Sequence, residues 1–217
     1  MPTSTLLRLA GLPLTAGGII GAIVVAIHPH ELTDPIDGPV HLALFCGALL
    51  VLLGWPAVLA RQSGRIGVLG PLGFVLVFIG LAFDDITHSV LEFSVVPVLA
   101  SDPATRPLLS PDSATTAALM HGPFGLMMVL GLPLIVLGLV AFGVATLRAR
   151  TLPAWPAAMH LVSAVTLVLM LVVPPVGPIG AALFYLGMAA YGVVLLSPTG
   201  ALDPMPSGVM APRAARG

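Results

Sequence analysis

The sequence predicts an all-α, polytopic integral membrane protein: a six-helix transmembrane bundle with both termini in the cytoplasm. Three observations predict it. The 217 residues are 58% hydrophobic and only 8% charged, with a mean hydropathy of +1.09, far above an ordinary soluble domain. Apolar runs of about 20 residues, the length that crosses a bilayer, recur along the chain. The arginines alternate with those runs in a way that only one helix count explains.

The apolar runs fall roughly at 6–27, 39–60, 66–96, 117–147, 155–173 and 177–196. The first follows MPTSTLLRLAGL, extends to Ile27 and lacks an A-x-A cleavage site. That is too long for the apolar region of a signal peptide, so it reads as a retained first helix. The third and fourth exceed what a bilayer requires and must tilt or project from it. The fifth and sixth are separated by PPVGP at 174–178, a turn that forces an antiparallel pair. Residues 1–196 therefore form one transmembrane domain. The segment 197–217, rich in Pro, Gly, Ala and Arg, is expected to be a disordered cytoplasmic tail.

Six helices put Arg8, Arg61, Arg65, Arg148, Arg150, Arg213 and Arg216 on one side and Arg106 alone on the other. The excess of positive charge marks the cytoplasmic face, and one helix more or fewer would split the arginines. The 24 Gly and 22 Pro lie mostly inside apolar runs, where membrane helices tolerate them. Gly17 and Gly21 give a G-x-x-x-G on the first helix, a spacing suited to close helix contact. With no lysine, a net charge of -1 and no basic cluster, nucleic acid is not an expected partner. The lone Cys46 excludes an intrachain disulfide. The lipid bilayer is the expected partner, together with other subunits if the chain belongs to a membrane complex.

The same helix count gathers the chemistry on the extracytoplasmic side. His28, His30, His41, His88 and His121 lie there, as do Glu31, Asp34, Asp37, Asp84, Asp85, Glu92, Asp102 and Asp112. Imidazole with carboxylate is the ligand chemistry of transition metals, and ionisable groups reaching into a membrane mark a functional site by default. In LAFDDITHSVLEF, Asp85, His88 and Glu92 are spaced i, i+3, i+7, and Asp84 stands i, i+4 to His88. This places them along one helix face. A carboxylate three residues before a histidine is also how inward-facing helices present ligands in di-metal bundles. His41 in the first turn of the second helix and His121 in ALMHGPFG share the depth of His88. Together, His41, Asp84, Asp85, His88, Glu92 and His121 form the expected metal site.

His28, His30 and Glu31, in HPHE, form a weaker candidate group: Pro29 holds His28 away from helical geometry, and two imidazoles flanking a proline could bind a metal, but HPH is a short motif of little specificity. His160, near the opposite face, reads as structural, snorkelling or hydrogen-bonded. The nine methionines, including Met120, Met127 and Met128, read as packing rather than copper ligation. The chain has no nucleotide loop, H-E-x-x-H or C-x-x-C.

Two family patterns share fragments with the chain. Cytochromes of the b561 type resemble it in carrying one histidine on each of helices 2 to 5, but their histidine pairs serve haems on both membrane sides. Membrane copper monooxygenases resemble it through the Asp-x-x-x-His of Asp84 and His88, but their next histidine follows more closely than His121. Each covers a few residues only.

The expected function is that of a membrane metalloprotein with copper, iron or zinc near the extracytoplasmic face. An oxidoreductase role on an apolar substrate fits, although no motif selects a substrate or establishes catalysis. The alternatives are a bis-histidine haem b protein, a metal-ion transport or delivery protein, and a non-catalytic accessory subunit.

Overall fold

The computed structural model describes residues 3–29, 34–110 and 112–197. It is 84% helical, with no strand among the described residues. Helix α1 spans Thr3–Ala26 and α2 spans Asp37–Arg61. A long α3 covers Leu69–Ser101. A short α4 (Ala114–His121) precedes α5 (Pro123–Ala149), followed by α6 (Ala154–Leu169) and α7 (Gly177–Leu196). Single 3-10 turns occupy Arg106–Leu109 and Pro174–Val176.

Local chemistry sets these limits. Asp37 opens α2 and Arg61 closes it, each sign matched to the helix dipole. Ser113 caps α4, its Oγ accepting from the Thr116 N–H at 3.0 Å, which satisfies an orphan donor. Arg150 closes α5 with a left-handed φ of 51°, and its N–H reaches the Thr146 carbonyl.

The fourth apolar run is not one helix. Gly122 is extended (φ −89°, ψ −170°) and Pro123 begins α5. Proline suits the first helical position, where its missing N–H costs nothing. It cannot support the preceding turn, so α4 is severed from α5 and His121 becomes the last residue of the shorter helix. In α3 the continuity is kept by two π-helical turns, Ala82–Ile86 and Leu91–Val95. Such turns, often found at functional sites, carry Asp84, Asp85 and Glu92 here.

Five helices are long and apolar enough to cross a membrane: Thr5–Ala26, Asp37–Arg61, Leu69–Ser101, Pro123–Ala149 and Pro174–Leu196. The remaining expected span, α6, has 16 residues. At 1.5 Å per residue it measures about 24 Å, less than a hydrocarbon core of about 30 Å. The expected tail beyond Ser197 lies outside the described residues.

The long helices and α6 close into a ring. Helix α1 packs against α2 and α7, α3 against α5 and α2, and α6 against α5 and α7. Neighbours run antiparallel, as their facing residues show: Gly17 meets Gly47, Gly11 meets Gly192, Gly73 meets Phe142, Gly143 meets Leu161, and Gly187 meets His160. Between α2 and α3, Phe45 faces Phe93 while Trp55 stacks on Phe74. A Cβ on Gly17 would stand 2.5 Å from the Gly47 carbonyl, and one on Gly21 would enter the Tyr185 ring. Both glycines of the G-x-x-x-G are therefore occupied by close neighbours, one on each flanking helix.

The bundle's interior holds Trp55, Phe142, Tyr191 and His160, all buried. His160 does not snorkel, being 0% exposed, and among the described residues both ring nitrogens lack a hydrogen-bond partner. It is packed instead among Trp55, Phe184 and Tyr191. The antiparallel ring also collects Arg8, Arg61, Arg65, Arg148 and Arg150 toward one end, with Arg106 toward the other.

Candidate metal centre

At the Arg106 end, the first turn of α2 faces the second π-helical turn of α3. Asp37 and His41 stand one turn apart on α2, and Glu92 projects from α3. One ligand atom from each of the three lies within 4.8 Å of the others. All three residues are buried, at 3%, 1% and 4% exposure. Among the described residues, no arginine pairs with these acids; their ion-pair contacts are with histidines.

The polar atoms are not fully satisfied. Among the described residues, Asp37 Oδ2 and Glu92 Oε2 are buried without a hydrogen-bond partner. Buried carboxylate oxygens normally find donors, and an uncompensated pair is costly. A cation between them would satisfy both oxygens and offset their repulsion.

The imidazoles frame this pair. The His41 Nδ1–H donates to the Asp37 carbonyl at 3.0 Å, with Asp37 Oδ1 3.3 Å away. A carbonyl can only accept, so the hydrogen sits on Nδ1, and in the neutral ring Nε2 presents a lone pair. This is how ligating histidines are commonly oriented. His88, on the turn before Glu92, places Nε2 3.3 Å from Glu92 Oε1. The His41 and His88 ring centroids are 5.1 Å apart. His28, just past α1, brings its Nε2 to 3.0 Å from His41 Nε2.

The structure thus gathers part of the expected site. His41, His88 and Glu92 come together, and His28 joins them. Asp84 and Asp85 lie one to two turns further along α3 and stand outside the Asp37, His41 and Glu92 group. Asp85 Oδ2 accepts from the Tyr185 hydroxyl at 2.6 Å, while Asp84 packs against Gly131 of α5. His121 is exposed at the end of α4 and makes no hydrogen bond to the cluster among the described residues. The break at Gly122 and Pro123 places it outside the long helix that would have carried it inward. His30 and Glu31 lie outside the described residues.

Asp37 was not among the residues expected as ligands. Its signal was present: it stands i, i+4 to His41, the same spacing that links Asp84 to His88. It reads as a loop acid only while α2 is taken to begin at 39. Asp37 also lines a cavity of about 520 Å³ with Asp34, Pro97, Ser101 and Arg106. The Arg106 guanidinium is anchored on the Ala100 carbonyl by bonds of 3.1 and 3.0 Å.

No family identifies this chain. It matches no protein-family model, no curated protein and no solved structure. The reading of its function therefore rests on the ring of helices and on this cluster.

Proposed function

We propose that the chain is a multi-pass membrane metalloprotein whose centre is built on Asp37, His41 and Glu92, near the extracytoplasmic face. The observation that carries the reading is the convergence of these buried groups with two carboxylate oxygens left unpartnered. His88 contacts Glu92 and holds that carboxylate toward His41, the role that hydrogen-bonded neighbours of metal ligands commonly play. One nitrogen and two carboxylates suit iron, zinc or copper. Bound there, such an ion would supply Lewis-acid or redox chemistry. The protein's own contribution is to fix His41 through Asp37 and to admit small molecules through the cavity beside Asp37.

In this reading α6 also crosses the membrane, because it runs antiparallel to both of its neighbours, and the termini are cytoplasmic because the arginines collect at their end. A transport reading is less well supported. The polar column on α3 stops at Asp84, and Leu81 and Val77, both 0% exposed, close the interior below it. A bis-histidine haem is also less well supported, since the His28, His41 and His88 rings are packed at 4.7 and 5.1 Å and leave no slot for a porphyrin.

The test is metal analysis and absorption spectroscopy of the purified protein, before and after adding Zn²⁺, Cu²⁺ or Fe²⁺. Uptake near one equivalent, reduced in Glu92→Gln and retained in His160→Leu, is expected. No uptake of any of these ions by folded protein would overturn the reading.

A further inference from the structure

The pairing of His28 with His41 carries a more specific conclusion. The His28 Nδ1 lies 2.7 Å from the Pro29 carbonyl. That oxygen can only accept, so Nδ1 must hold the hydrogen. His41 is fixed in the same tautomer by the Asp37 carbonyl. With both rings neutral, each Nε2 presents a bare lone pair, and the two face each other at 3.0 Å, with the ring planes at 84°. Two neutral imidazoles repel in this arrangement. A positive charge between them removes the repulsion.

We propose that His28 is the fourth ligand of the centre, making it a two-imidazole, two-carboxylate site for a transition-metal ion. The proposal rests on the metal reading above. At metal–nitrogen distances of about 2.0–2.1 Å, a separation of 3.0 Å corresponds to an N–metal–N angle of about 94°. That is the angle between adjacent ligands in tetragonal or octahedral coordination. A tetrahedral site needs about 3.3 Å, a small relaxation. His28 is not in the group whose atoms lie within 4.8 Å of one another. Ion binding must therefore draw the end of α1 toward α2 and α3. Two imidazoles select against Mg²⁺ and Ca²⁺, which take oxygen ligands, and favour Cu²⁺ or Zn²⁺. The rival occupant of the His28–His41 gap is a shared proton, which would leave His28 with no part in metal binding.

The experiment uses the full chain in detergent, stripped of metal and titrated with Cu²⁺, with electron paramagnetic resonance counting the coordinated nitrogens. Two imidazole nitrogens are expected in the parent protein and one in His28→Ala and His28→Gln. Both variants should bind Cu²⁺ about 10–100-fold more weakly or worse, and excess Mg²⁺ or Ca²⁺ should not compete in the parent. Circular dichroism confirms that the variants are folded, and the glutamine variant preserves side-chain bulk if alanine disturbs the end of α1. If the parent binds Cu²⁺ with one nitrogen and both variants match it, His28 is not a ligand and the Asp37, His41 and Glu92 reading stands. If the folded parent takes up no Cu²⁺, and no Zn²⁺ or Fe²⁺ either, both proposals fail.

Discussion

Replacing Glu92 with glutamine should remove most of the stability that a bound metal confers, while changing the metal-free protein little. In the metal-free protein, Asp37 and Glu92 are buried with ligand atoms within 4.8 Å and, among the described residues, no arginine partner. Two like charges at 4.8 Å or closer repel by about 3.5 kcal/mol or more at an effective dielectric of about 20. Glutamine is nearly isosteric; it removes that repulsion but also the ion-pair contact of Glu92 with His88 at 3.3 Å, and the two changes oppose each other in the metal-free protein. The metal-bound protein loses a direct ligand. Changing a residue one step removed from a metal commonly costs 10–100-fold in affinity, so removing the ligand should cost at least about 100-fold, or about 2.7 kcal/mol. Thermal unfolding in detergent, with and without Zn²⁺, reads both effects. At a Zn²⁺ concentration about 100 times the parent's Kd, the parent gains about 2.7 kcal/mol and the variant only about 0.4 kcal/mol. The reasoning is refuted if Zn²⁺ stabilises both proteins equally.

Topology can be read by cysteine labelling after Cys46, which is exposed, has been replaced. Ser110→Cys should label in intact cells and Ser63→Cys only after permeabilisation, and the reverse pattern would invert the bundle. His160→Leu should keep its metal and change stability by no more than about 1 kcal/mol, because the imidazole it replaces makes no hydrogen bond and an apolar replacement is nearly neutral; a large loss of metal would place His160 in the centre. Gly17→Leu should destabilise the protein by about 1–3 kcal/mol or more through overpacking, since even a Cβ there meets the Gly47 carbonyl, and unchanged unfolding would show that α1 and α2 do not pack so closely. Acidification should release metal, because ligating imidazoles must be neutral and the ordinary histidine pKa is about 6.5. Binding is full above that value and is lost as the pH falls toward about 5; metal held unchanged at pH 5 would argue against histidine ligation.

The sequence by itself determined that the chain is helical, with helices long and apolar enough to cross a membrane. Runs of apolar residues long enough for a bilayer leave helices as the economical structure, because each backbone group must be satisfied within its own segment. The i, i+4 and i, i+7 spacings along α3 fixed that His88 and Glu92 share a face. Tertiary structure decided which residues meet. Asp37 became a ligand candidate because α2 begins two residues earlier than the apolar pattern implies, turning a loop acid into the first helical residue. His121 was set apart because Pro123 cannot extend the turn before it, a break that hydropathy does not register. Asp85 accepts from the hydroxyl of Tyr185, on a helix 100 residues later in the chain, a pairing that the sequence does not announce. Periodicity reports which residues share a face of one helix. It carries no information on which face of another helix lies opposite, and that pairing, set by the close approach of small residues around the ring, is what brings Asp37, His41 and Glu92 together.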